Sequence, residues 1–140
     1  MQRSFILIFL FISILCSCDP GYSARIINRS NSMSQVIVEY DRELIQKDFE
    51  RNVGFNPEVV YNNENSKTLI KIDTINFVVT CVVQPSDTLL LEMGIGTRPE
   101  FNGITRVTII ADDTLYLENK KKMKSIFSKR DYYQYEFMIE

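Results

Sequence analysis

The sequence predicts an all-β protein, an antiparallel β-sandwich with one or two short helices. Three observations carry this expectation. Short stretches of alternating apolar and polar residues recur along most of the chain after residue 21. Clusters of Asn, Ser, Asp, Pro and Gly interrupt them at close intervals. Helical spacing of apolar residues shows in only two places. About seven to nine short strands punctuated in this way belong to two packed sheets rather than to alternating strands and helices.

The chain opens on a different pattern. Arg3 puts a positive charge ahead of an apolar run, Phe5 to Ile12, which continues through Ile14 and Leu15 and stops at Asp19, Pro20 and Gly21. A run of about ten residues matches the apolar region of a secretory leader and falls short of the ~20 needed for a helix to cross a bilayer. Leu15-Cys16-Ser17-Cys18 resembles the lipobox of bacterial lipoproteins, with an aliphatic residue three before a cysteine and a small residue just before it. The resemblance implies cleavage after residue 17 and lipid on Cys18. It also implies a place in the bacterial cell envelope, at the outer membrane, with the membrane face left open. Cys16 does not fit, because it would put Ser13 in the aliphatic position and Leu15 where a small side chain is required. The plain alternative is a secreted protein with two incidental cysteines. The expected layout is a leader over 1–17, a lipidated tether over 18–21 and one sandwich domain over 22–140, a length ample for a single core.

Losing Arg3 with the leader leaves fifteen Lys and Arg against eighteen Asp and Glu, a net charge of −3. That balance argues against nucleic acid as a partner. With Cys16 removed and Cys18 lipidated, Cys81 stands alone and no internal disulfide can form, so the fold rests on packing. The sequence has no histidine. Serine-histidine and cysteine-histidine hydrolysis and histidine- or cysteine-ligated zinc are thereby excluded, and no cofactor or metal is expected.

Taken in order, Tyr22, Ala24 and Ile26 alternate in a first strand. Asn28 to Ser34 is a turn, and Val36, Val38 and Tyr40 alternate in a second strand expected to form a hairpin with the first. From Asp41 the period changes: Ile45, Phe49 and Val53 fall four apart between a capping Asp41 and Gly54, which predicts a short helix. Glu58 to Tyr61 reads as a strand before the turn Asn62 to Ser66, and Leu69 to Ile72 as another. Ile75 to Val83 is the most apolar part of the mature chain, with Ile75, Phe77, Val79, Cys81 and Val83 on one face, and belongs in the middle of a sheet. Pro85 and Asp87 end it. Thr88 to Met93 follows with Leu89, Leu91 and Met93 inward and Glu92 outward, and Gly94 to Gly103 is a loop. Thr105 to Ala111 and Thr114 to Leu117 form a hairpin across Asp112-Asp113. Residues 119 to 130 are basic, with Met123, Ile126 and Phe127 at helical spacing. The last strand runs from Tyr132 to Ile139, with Tyr133, Tyr135, Phe137 and Ile139 on one face.

This plan of an opening aliphatic strand, an asparagine-serine turn, a proline-aspartate corner and a closing tyrosine-rich strand resembles the small immunoglobulin-like lipoproteins of unknown function common in Bacteroidetes. The resemblance spans most of the mature chain and rests on patterning. It implies an immunoglobulin-like sandwich.

Several features carry candidate chemistry, each beside a plainer account. Cys81 is a redox thiol or, as isolated cysteines on apolar strand faces usually are, a small buried hydrophobe. Gly94-Ile95-Gly96 leads toward a strand, not a helix, so it is a glycine-rich turn rather than a phosphate loop. Asp112-Asp113 sits at a hairpin tip, where adjacent side chains diverge and cannot face each other across a glycan. Six cations between Lys120 and Arg130 would attract anionic headgroups at about 1 kcal/mol each, or would form a solvated face guarding a sheet edge. The triplets beginning at Asp73, Asp87 and Asp113 resemble the aspartate-threonine-aliphatic acceptor for O-glycosylation in exported Bacteroidetes proteins, which implies modification of Thr74, Thr88 and Thr114. The plainer account has aspartate ending a turn and a β-branched threonine opening a strand. In the Gly94 to Gly103 loop, Arg98, Phe101 and Asn102 form the candidate binding surface, because long loops on rigid scaffolds carry function. Phe101 is either an exposed anchor or a plug for the open end of the sandwich.

The expected function is a non-catalytic binding or structural module, held to a membrane through lipid on Cys18, with an envelope protein or glycan as partner. Two other classes are a carboxylate-dependent enzyme on envelope glycans, which needs two facing acids, and an inhibitor or immunity lipoprotein, which needs a projecting loop.

Overall fold

The structure is a computed structural model that describes residues 20–50 and 69–140. The leader, Cys18, the expected strand over Glu58 to Tyr61 and the Asn62 to Ser66 turn lie outside the described residues.

Among the described residues, strands β1 (Gly21–Asn28), β5 (Thr88–Ile95), β8 (Ser128–Asp131) and β9 (Gln134–Ile139) form one sheet in the order β5-β1-β9-β8. Strands β2 (Ser34–Tyr40), β3 (Leu69–Asp73), β4 (Val78–Val83), β6 (Ile104–Ile110) and β7 (Thr114–Leu117) form the other in the order β3-β4-β2-β6-β7. Helix α1 (Arg42–Glu50) follows β2, and α2 (Lys120–Ile126) follows β7. The chain is therefore an all-β sandwich with short helices. One pair departs from antiparallel order: β1 and β9 run parallel, Ser23 opposite Gln134.

Alternation dictates the core. Ala24 and Ile26 of β1, Val36 and Val38 of β2, and Val107 and Ile109 of β6 are all buried, each contributing on the order of 1.5–3 kcal/mol if fully removed from water, less for alanine. The same alternation does not say which strands pair. The expected hairpin of the first two strands is not formed: β1 and β2 lie in different sheets, and residues 29–33 carry the chain between them. Asn28 makes that passage possible. Fully buried, it donates from Nδ2 to the Ser32 and Val83 carbonyls at 2.8 and 2.9 Å, and its Oδ1 accepts from the Ser30 amide and hydroxyl at 3.1 and 2.7 Å. The expected hairpin of β6 and β7 is formed, with Val107 opposite Leu117.

Several boundaries move. Gly94 and Ile95, expected in the loop, belong to β5, and Tyr132 and Tyr133, expected in the last strand, form the turn before β9 begins at Gln134. The apolar stretch from Ile75 does not enter β4 until Val78; Ile75 is 77 % exposed in the turn between β3 and β4, and Phe77 has φ 56°. Asp73 decides this, because its carboxylate accepts from the Ile75 and Asn76 amides at 3.0 Å each, an Asx turn that outcompetes the ladder. Residues 128–131 form the edge strand β8, whose four residues are all exposed and polar and so carry no apolar alternation to announce it.

Cys81 is fully buried on β4, and burial pushes its thiol up to about 12. The thiolate that reacts is therefore absent at neutral pH. The protein is expected to resist a bulky maleimide under native conditions and to label once denaturant is added, with a melting temperature indifferent to reductant. Labelling of native protein at the rate of a free thiol contradicts the assignment.

Candidate functional site

Everything at the end of the sandwich where β1 begins depends on an irregularity in β5. Arg25 pairs with Leu90 but Ala24 pairs with Glu92, so Leu91 is an extra residue in the ladder. A bulge places two successive side chains on one side and reverses the alternation beyond it. Leu91 is buried as expected, but Glu92 turns inward with it, and Met93 turns out to 65 % exposure. The expected orientation of these two residues is thus reversed. Gly94 then lies directly under the Tyr22 ring, where a Cβ would come within 2.6 Å of the phenol oxygen. Burial, then the negative charge of Glu92, pushes the Tyr22 phenol up.

The Glu92 carboxylate accepts the Phe101 amide at 2.9 Å to Oε1 and 3.2 Å to Oε2. Phe101 has φ 52°, the left-handed region in which a phenylalanine costs on the order of 1–2 kcal/mol. Its ring is fully buried, with its centroid 5.3 Å from that of Phe127, which in turn lies 6.2 Å from Phe137. Phe101 therefore plugs the sandwich and offers a partner no exposed ring. The loop's length has a structural cause as well: it joins β5 of one sheet to β6 of the other, a passage between layers about 10 Å apart rather than a hairpin.

The other two loop residues are accessible. Arg98 is exposed with Nε 3.6 Å from Glu100, and Asn102 is exposed with Oδ1 accepting from Lys120 Nζ at 3.0 Å. Lys124 pairs with Glu100, and this hydrogen bond is the main reason the Glu100 carboxyl is held below its ordinary range. The loop and the lysine-rich helix thus make one surface. Helix α2 is capped by the Asn119 side chain, which accepts the Lys122 amide at 2.9 Å, and it is seated by buried Met123. Arg98, Pro99, Phe101, Lys124, Phe127 and Tyr135 line a cleft of about 280 Å³. The Tyr135 hydroxyl donates to the Thr97 carbonyl at 2.9 Å. Arg98 and Phe101 meet here as the sequence suggests. Lys124, Phe127 and Tyr135 were legible only as members of a basic run, a helical stripe and a strand face.

The threonines separate. Thr74 and Thr114 are exposed and Thr88 is half-buried at the start of β5. Thr74 does not open a strand, since Asp73 ends β3 and Thr74 begins the following turn. Asp112 and Asp113 are exposed between β6 and β7, at the opposite end from the cleft. Among the described residues no group of three or more His, Cys, Asp or Glu is placed to hold a metal ion, and no helix is long and apolar enough to cross a membrane. No protein-family model, curated protein or solved structure matches the chain.

Two outcomes follow from this geometry. Phe101→Ala removes a buried ring and is expected to cost about 3–5 kcal/mol by denaturant unfolding; an unchanged unfolding midpoint contradicts the plug. Burial raises the Glu92 pKa, so the folded state holds its proton to higher pH than the unfolded state. Its contribution to stability is therefore most favourable in acid and declines as pH rises through and above the ordinary carboxylate range. Glu92→Gln, whose amide oxygen still accepts the Phe101 amide, should abolish that decline. A stability difference between variant and parent that stays constant with pH contradicts it.

Proposed function

We propose that this chain is a lipid-anchored lipoprotein of the bacterial cell envelope, held at the outer membrane through Cys18 and acting as a non-catalytic binding or structural module. The observation that carries the reading is the junction between the lipobox-like Leu15-Cys16-Ser17-Cys18 and the fold. Strand β1 begins at Gly21, three residues beyond Cys18. Three residues reach at most about 10–11 Å, so lipid on Cys18 would hold the sandwich at the membrane surface with no long linker between. Stable anchoring takes more than one acyl chain, as a lipoprotein carries.

The binding surface is the exposed part of the loop and helix, Arg98 and Asn102 with the α2 lysines, for an envelope protein or glycan. The enzyme alternative has one observation in its favour: Glu92 and Glu100 are shifted in opposite directions, as an acid and its partner would be. Both Glu92 oxygens lie on the Phe101 amide, however, and neither acid lines the cleft. An inhibitor would insert a projecting loop, whereas this loop folds back on Phe101. Exposed Thr74 and Thr114 are the better candidates for O-glycosylation, and Thr88 the poorer one.

Replacing Cys18 with alanine is expected to release the protein from the membrane fraction, while Cys16→Ala leaves it attached. A Cys18→Ala protein that still pellets with membranes after a high-salt wash refutes the anchor.

A further inference from the structure

The end of the sandwich nearest Cys18 has an unusual surface. Ile95 pairs with Gly21, the first residue of β1, and is 79 % exposed; Met93, two residues earlier, is 65 % exposed. The β8–β9 turn reaches the same place, because the Ser23 amide donates to the Tyr133 carbonyl at 3.0 Å, and Tyr132 beside it is 84 % exposed. The Gly96 amide donates to the Pro20 carbonyl at 2.7 Å, so the cleft loop also leaves from this point. Three large apolar or aromatic side chains therefore surround the residue through which the chain enters the fold. A soluble surface leaves such residues single; grouped beside a chain entry they mark a contact.

Charge is distributed along the same axis. The entry end holds Arg98, the α2 lysines, Lys129 and Arg130 among the acids Glu100, Glu118 and Asp131, whereas the turns at the opposite end hold Asp87, Asp112, Asp113 and the terminal Glu140 with Arg29 beside them. Among the described residues the far-end turns thus carry an excess of acids, while the entry end mixes both signs, its cations gathered on α2 and β8 beside the exposed apolar side chains.

We infer that the entry end is a membrane-contact surface, in which Met93, Ile95 and Tyr132 enter the interfacial region of an anionic phospholipid bilayer and the flanking lysines and arginines meet its headgroups. The inference rests on the anchoring of Cys18. It follows from where the chain outside the structure ends: Cys18 lies two residues before Pro20, a span of at most about 7 Å, so the acyl chains enter the bilayer beside Ile95 and Tyr132. Aromatic side chains with a polar tip suit that depth, and cations beside them add attraction to anionic lipid. The acidic end then faces away from the membrane, which fixes the orientation of the module.

The chain has no tryptophan, so single substitutions report position cleanly. The full lipoprotein, extracted from membranes and reconstituted into vesicles of phosphatidylethanolamine and phosphatidylglycerol, would carry Ile95→Trp, Tyr132→Trp or, at the opposite end, Met33→Trp. All three positions are exposed, and unchanged melting confirms folding. Emission from positions 95 and 132 is expected to shift to shorter wavelength and to be largely quenched by brominated lipid, with position 33 unaffected. Acylated, vesicle-bound protein whose 95 and 132 probes remain in water overturns the inference while leaving the anchor intact, and frees this surface for a protein partner. Protein that lacks acyl mass on Cys18 and stays in solution overturns both.

Discussion

The hydrogen bond from the Phe101 amide to Glu92 governs one whole end of the molecule. The extra residue at Leu91 turns a carboxylate inward, and the carboxylate then fixes a backbone conformation that phenylalanine does not choose by itself. A hydrogen bond contributes roughly 1 kcal/mol net, of the same order as the cost of the left-handed conformation, and burial of the ring supplies the rest. With Phe101 held, Phe127 has a partner, α2 has a seat, and the lysines of α2 come to lie over the loop that carries Arg98 and Asn102. One misaligned ladder position thus assembles a plug, a cleft and a charged surface.

At the opposite end Asn28 plays the matching part. Its side chain satisfies the Val83 carbonyl and the 29–33 turn together, while its own backbone meets the corner at Ser86 and Asp87. A buried amide with all of its hydrogen-bonding capacity used specifies one arrangement of the chains that meet there. The sheets between the two ends need less direction, because alternating aliphatics pack on either partner.

The same contrast explains what could be read from residues alone. The existence of β1 to β7 and of β9, the buried faces of β1, β2 and β6, the β6–β7 hairpin and the two helices were legible because each is a local periodicity. Pairing was not: Val36 and Val38 bury equally well beside β1 or across from it. The reversal of Glu92 and Met93 was invisible because a bulge leaves the residue pattern untouched and changes only its register. β8 was missed because an exposed edge strand of Ser, Lys, Arg and Asp has no apolar period. Of the candidate site, Arg98 and Phe101 were found from the loop, but Tyr135 and Phe127 joined it through contacts distant in sequence.

The proposed function ties the entry end of the sandwich to its attachment, since a lipid on Cys18 and the exposed apolar side chains and α2 and β8 cations of that end would act on the same membrane. The most direct measurement is intact mass analysis of the N-terminal peptide from protein isolated in bacterial membranes. The account predicts a mature chain that starts at Cys18 and carries acyl groups. A mature chain that starts elsewhere, or an unmodified Cys18, contradicts it.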